Sequence, residues 1–338
     1  AESAVIDRQA PAVEAARHLG VNVISQYSTA ANGLLVHATP AQLEALRRVP
    51  GVAAIEPAPM VRPALKNSVP YTGADALAAE LGYDGEGTVV AVIDTGVDYT
   101  HQHLGGPGTV PAFAAANAPG MTETITDTWE GVPLFPNAKV IGGWDFVGPN
   151  YNPYHTCPPD VPPPGCSSTP RPDPDPLDGG SHGTHVSGIV AGMDTPTLGH
   201  GVAPGAKLVG LKLYGTGGGD EAADVLVDAI EWCTRVNLGL ETRGTLPPRV
   251  DAINISLGEV HAQGSRLFDE AVSRAVDSGI VVVASAGNAG NRPWVLGAPS
   301  ASPRILSVAS GLPPQQSLSV ITRQEGVETE HAAIESSI

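Results

Sequence analysis

Two histidines three residues apart, His182 and His185, lie in the run DGGSHGTHVSGIVAGM at residues 178–193. An imidazole, which titrates near neutrality, suits a metal site, a proton shuttle or the activation of a nucleophile. Spacing makes metal the weakest of these. The pair has no adjacent acid or cysteine and lacks the H-E-x-x-H plan, and His101, His103 and His155 fall in loop-like segments without fixed spacing. Gly179, Ser181 and Gly183 also match G-x-S-x-G, but a nucleophile elbow needs a strand running into it. The preceding RPDPDPLDGG cannot be a central strand. Proton transfer is the reading that survives.

A proton-transferring histidine needs a partner, and parallel sheets gather functional groups at the carboxyl ends of their strands. Asp94 ends TVVAVID, and Asn288 directly follows IVVVASAG. A carboxylate there serves as often to cap the next turn. The run Val186, Ile189, Val190, Met193 has helical spacing and predicts a buried stripe. It puts His182 on the inward side at the first turn, at the mouth, and His185 one turn deeper as a core histidine. Ser181 is the expected N-cap, and Gly183, Gly188 and Gly192 would let the helix approach the sheet closely. A helix N-terminus disfavours imidazolium, so a catalytic His182 needs an acid beside it, and Asp94 is the natural candidate.

The elements that must carry these residues follow from pattern. From Thr88 onward, TVVAVID, KLVGLKLY, VDAINIS, IVVVASAG and RILSVAS alternate with helical segments opening at His182 and spanning DEAADVLVDAIEWC and RLFDEAVSRAVDSG. Short β-branched runs between amphipathic helices predict an α/β domain, a parallel sheet with helices on both faces. The proline-rich stretch between Asp94 and His182 reads as surface loops. Residues 1–66 read as a separate small α+β unit. It has strands at Val21–Ile24, Leu34–Val36 and Val52–Ile55 and a helix begun by the capping box of Thr39 and Gln42 with Pro40 between. The segment EPAPMVRPALKNSVPY, broken by four prolines, reads as a linker. The expected boundaries are thus 1–66, 67–312, and 313–338 as a linker or the start of an inserted domain.

Composition narrows the partners. The net charge of −17 disfavours nucleic acid or an anionic membrane, either of which would need a basic face. Six basic against five acidic residues in 1–66 leave that unit nearly neutral, so the larger unit carries the negative charge. No run reaches the ~18–20 apolar residues of a membrane span. The start AESAVIDRQA lacks a signal-peptide plan, so any export signal is expected to lie outside this sequence. Cys157 and Cys166 bracket CPPDVPPPGC; a bond there would close a ring worth about 2–3 kcal/mol and fit an oxidising compartment. Cys233 shares a helical stripe with Leu226 and Ile230 and is expected to be a buried free thiol.

AVIDTGVD, SHGTHVSGIVAG, GVAPGAKLVGLKLY, INISLG and ASAGN occur in that order, and together they resemble the subtilisin-like serine proteases, the subtilases. The resemblance implies a subtilisin-like fold and a secreted serine endopeptidase acting on proteins or peptides. It makes Asp94 the residue that orients the base, His182 the general base and acid, and Asn288 the oxyanion donor. It assigns Ser256, Leu257 and Gly258 to one edge of a peptide-binding groove, with Gly218 and Gly219 on the other side. The first unit resembles the family's inhibitory propeptide, with its tail near Met60–Lys66 lying in the cleft.

Two departures bear on these expectations. The family's nucleophile sits in a G-T-S-M-A-type motif after the asparagine, and residues 289–338 contain none. Ser300, Ser302, Ser307, Ser310, Ser317 and Ser319 lack its flanking residues, so the chain is expected to stop before its own nucleophile and to be inactive alone. The segment DYTHQHLGG lacks the family's H-P-D-L form. No cofactor or metal ligand is therefore carried over, and a structural calcium ion stays unassigned. A non-catalytic, peptide-binding subtilase-like module and a zinc protein stand as alternatives.

Overall fold

A strand buried on both faces must be apolar on both, and VVAVID, KLVGLK, AINI and VVVAS meet that requirement. A computed structural model describes residues 2–27, 33–52, 55, 65–118, 128–152, 167–195, 199–215, 223–258, 265–290, 295–311, 318–324 and 327–333. It divides the chain into two units, 1–63 and 64–338.

The first unit comprises α1 (Glu2–His18), an antiparallel pair of β1 (Asn22–Tyr27) and β2 (Gly33–His37), and α2 (Pro40–Leu46). Its core joins Ala16 of α1, Val21 and Leu46 of α2. The expected capping box is present: the Thr39 hydroxyl accepts from Gln42 N–H at 3.4 Å, and the Gln42 side chain accepts from Thr39 N–H at 2.8 Å. One expectation changes here, and one element is new. Helix α1 was not legible, since Pro11 lies within it. Val52 and Ile55 belong to no strand, and residues 53–54 lie outside the described residues.

The second unit opens with α3 (Leu65–Thr72) and α4 (Ala74–Leu81), so part of the expected linker is helical despite Pro70. Then follow β3 (Val89–Asp94), α5 (Val110–Ala116), a small hairpin of β4 (Thr128–Trp129) and β5 (Val132–Pro133), and β6 (Val140–Asp145). Next come α6 (His182–Ala191), β7 (Lys207–Lys212), α7 (Ala223–Asn237), β8 (Ala252–Ile255), α8 (Arg266–Asp277), β9 (Val281–Ser285) and β10 (Leu306–Val308). Antiparallel strands β11 (Leu318–Gln324) and β12 (Val327–Ala333) occupy the segment expected to be a linker or the start of an insertion.

Six strands form one sheet in the order β10-β9-β8-β3-β7-β6, with every pairing parallel. Side-chain alternation splits the core. Ala91 and Ile93 of β3 face a cluster with Leu226, Ile230, Trp232 and Cys233 of α7 and Phe268 and Val272 of α8. Val92 and Leu208 face Val186 and Ala191 of α6, with Tyr99, Leu134 and Phe135. The sheet is therefore covered on both faces, as expected, and Cys233 is a buried free thiol whose pKa burial pushes up.

The stretch between Asp94 and His182 departs from the loop reading. Strand β6 is an edge of the sheet, and Leu134, Phe135, Phe146, Val147 and Tyr151 are buried. Its glycines hide it from pattern reading and also make it fit. A Cβ on Gly143 would lie 2.5 Å from the Gly210 carbonyl oxygen, and one on Gly142 would lie 2.6 Å from that of Thr245.

Beside the carboxyl ends of β6 and β7, three buried carboxyls gather near the one buried ammonium of Lys212, which pairs with Asp145. Asp173 exchanges backbone hydrogen bonds with Asp145, and Asp175 accepts from the Tyr99 hydroxyl at 2.9 Å. Among the described residues, one oxygen of Asp173 and one of Asp175 have no partner. Burial, reinforced by the Asp145 charge, pushes the Asp173 carboxyl up to about 8. Burial chiefly pushes Asp175 up to about 7, although its hydrogen bonds with Tyr99 and Leu177 oppose the shift.

The native protein accordingly holds protons that the unfolded chain releases near pH 4, so these groups lower its stability as pH rises from about 4 to about 8. Asp173→Asn is expected to stabilise the protein at about pH 8 while changing little at about pH 4. Denaturant unfolding of both proteins across that range checks this, and identical pH dependence would overturn it.

Candidate active site

Strand β3 delivers Asp94 to the carboxyl edge of the sheet, between β7 and β8, with only 1% of its surface exposed. One oxygen, Oδ1, accepts from the Thr95 backbone N–H at 2.7 Å and meets His182 Nδ1 at 2.7 Å. The other oxygen is buried without a partner among the described residues. Burial raises the Asp94 pKa above its usual value, while the bonds from His182 and Thr95 pull against that rise. An ionised carboxylate only accepts, so His182 must carry its proton on Nδ1, leaving Nε2 for proton exchange. The His182 side chain is 56% exposed, so the acid is buried and the imidazole opens to solvent.

The short contact requires α6 to reach β3 almost backbone to backbone. A Cβ on Gly183 would fall 2.2 Å from the Gly96 carbonyl oxygen and 3.0 Å from Asp94 Cβ. Gly192 likewise packs on the ring of His103, whose Nε2 bonds the Gly199 carbonyl oxygen at 2.7 Å. The close approach to the sheet expected of these glycines is present at Gly183, whereas Gly188 and Gly192 make room for the His103 ring.

Two details of α6 differ from expectation. The buried face is Gly183, Val186, Ser187, Gly188 and Ala191, whereas Ile189 and His185 are exposed. Close approach selects small side chains, so the aliphatic stripe misplaced the face and His185 is not in the core. Ser181 occupies the N-cap position, but its side chain caps nothing and its backbone is left-handed, with φ 72°. The cap is Asp178, which pattern reading missed. It accepts from the N–H groups of Gly180, Ser181 and Thr184, at 2.7, 3.0 and 2.9 Å.

The other expected site residues are distributed as follows. Ser256, Leu257 and Gly258 continue directly from β8, and Asn288 follows β9 and is exposed. With strands ~4.8 Å apart, β9 runs about 10 Å from β3 on the same edge. Gly218 and Gly219 lie outside the described residues, as do Cys157 and Cys166. Ser300 bonds Ser307 at 2.6 Å and Ser302 bonds Asp269 of α8 at 2.5 Å, so both hydroxyls are engaged away from His182. No group of three or more His, Cys, Asp or Glu among the described residues is arranged to hold a metal ion.

An acid and an imidazole so paired have the geometry that proton transfer to and from Nε2 requires. Residues 85–332 match the subtilase family, and residues 4–64 match the peptidase inhibitor I9 family. The chain belongs to the subtilases. This subtilase is 30% identical over 250 residues to the minor extracellular protease Vpr of Bacillus subtilis (strain 168), covering 74% of this chain and 23% of that protein. It is 32% identical over 225 residues to subtilisin DY of Bacillus licheniformis, covering 66% and 55%. To subtilisin E of Bacillus subtilis (strain 168) it is 29% identical over 270 residues, covering 78% and 52%. The chain thus spans about half or less of the length of these relatives.

Gly183→Ala tests the geometry. It is expected to cost about 1–3 kcal/mol through overpacking and to abolish the low-field proton resonance of the His182–Asp94 hydrogen bond. A variant that keeps that resonance would show that the approach of α6 to β3 does not depend on this glycine.

Proposed function

We propose that this chain is the propeptide and part of the catalytic domain of a secreted serine endopeptidase. The observation that carries the reading is the 2.7 Å contact between buried Asp94 and exposed His182 at the carboxyl edge of a parallel sheet. In this reading, His182 Nε2 takes the proton of a serine hydroxyl as that oxygen attacks the peptide carbonyl carbon. It then returns the proton to the departing amine. Asp94 holds the required tautomer and stabilises the imidazolium. The Asn288 amide donates to the oxyanion, which is worth roughly 2.7–4 kcal/mol in the transition state. An extended substrate pairs with the backbone of Ser256–Gly258 as an added strand. No cofactor is needed for these steps.

The nucleophilic serine is assigned to no residue of this sequence. The I9-like first unit supports inhibition by the chain's own propeptide, with protein or peptide substrates afterwards. Extracellular action is supported by the name of one relative, the minor extracellular protease Vpr.

This 338-residue chain is expected not to react with a fluorophosphonate probe, whereas the product of the complete gene should label and cleave casein. In that product, removing the base by His182→Ala should cost ~10⁶-fold in kcat, and Asp94→Ala ~10⁴-fold. Asn288→Ala should cost about 10²–10³-fold. A complete product that neither labels nor cleaves would favour a peptide-binding module without turnover.

A further inference from the structure

Asp178 is 3% exposed and lies four residues before His182. Beyond capping α6, it accepts from two hydroxyls, Thr95 Oγ1 at 2.9 Å and Thr184 Oγ1 at 2.6 Å. Each hydroxyl then accepts a backbone N–H across the junction of β3 and α6. Thr95 Oγ1 takes the Gly183 N–H at 2.9 Å, and Thr184 Oγ1 takes the Asp98 N–H at 2.9 Å. Thr95 follows Asp94 and Gly183 follows His182, so the link from Asp178 through Thr95 to Gly183 runs one residue from the Asp94–His182 bond.

A carboxylate only accepts, so both hydroxyls must point their protons at Asp178 and present lone pairs to the two N–H groups. An asparagine would keep the shape but set an amide donor against at least one donor. The orientation of the whole junction therefore depends on Asp178 being an anion.

We propose that Asp178 is a positioning residue for the general base: through Thr95 and Thr184 it fixes the first turn of α6 against the end of β3, holding His182 Nδ1 on Asp94 Oδ1. This rests on the peptidase reading only for its consequence in turnover, because the geometry it fixes is measurable without turnover.

The test is the low-field His182 Nδ1–H resonance of ¹⁵N-histidine-labelled protein, identified by its loss in Asp94→Asn. Asp178→Asn and Asp178→Ala are expected to lose it or to speed its solvent exchange at least tenfold, in protein that circular dichroism shows to be folded. Thr95→Val, which keeps the carboxylate and its backbone cap, should shift exchange in the same direction. Thr109→Ala removes the cap of α5 and should lower thermal stability without moving the resonance. A wild-type exchange rate in folded Asp178 variants would overturn the proposal. Should these variants not fold, the same rate in both Thr95→Val and Thr184→Val would do so. In the complete gene product, Asp178→Asn should lower kcat about tenfold with KM unchanged. If the resonance behaves as stated but the product cleaves nothing, the peptidase reading fails and the positioning role stands.

Discussion

The hydrogen bond from His182 to Asp94 sets the terms for the rest of the large unit. A carboxylate donates nothing and an exposed imidazole rotates freely, so the pair stays joined only if the two backbones are held at close range. That range is set by a glycine, since any side chain at Gly183 would strike the turn after β3. Burial of Asp94 follows from its place on a central strand, and exposure of His182 from its place at a helix tip. Acid inside and base outside are thus products of topology as much as of residue choice.

The same edge concentrates negative charge. Asp94, Asp145, Asp173, Asp175 and Asp178 are all at least nine-tenths buried, and the buried ammonium of Lys212 pairs with Asp145. The molecule accommodates them in different ways. Asp178 is met by five donors, Asp145 by an ion pair and two backbone N–H groups, and Asp173 and Asp175 by pKa values that burial raises. Asp178 and Asp145 have their lone pairs occupied, the usual condition for charge in an interior, whereas Asp94 keeps one buried oxygen without a partner among the described residues.

Much of this was legible. The five strands β3, β7, β8, β9 and β10, the helices between them and the pairing of Asp94 with His182 follow from β-branched runs, strand ends and the resemblance carried by five motifs. Four features were not, for physical reasons. Strand β6 places glycines where other strands place β-branched residues, because neighbouring carbonyls approach there. The buried face of α6 follows smallness, not hydrophobicity, where a helix meets a sheet at backbone distance. Asp178 caps a helix from outside the usual cap position, so its role appears only once the loop is folded. Helix α1 tolerates Pro11 within it, and propensity alone argues against that.

The order of strands has a kinetic side. Strand β3 is the earliest member of the six-stranded sheet to be synthesised, yet its partners β7 and β8 come much later, and Val89 bonds Asp251 from 162 positions away. Such long-range pairing incurs a large loop-closure cost before any reward, which slows the search for the native arrangement. Until the later strands arrive, nothing anchors the strand that bears the acid. A nascent or half-unravelled polypeptide therefore cannot hold His182 against Asp94, and that contact can form only at the end of the search.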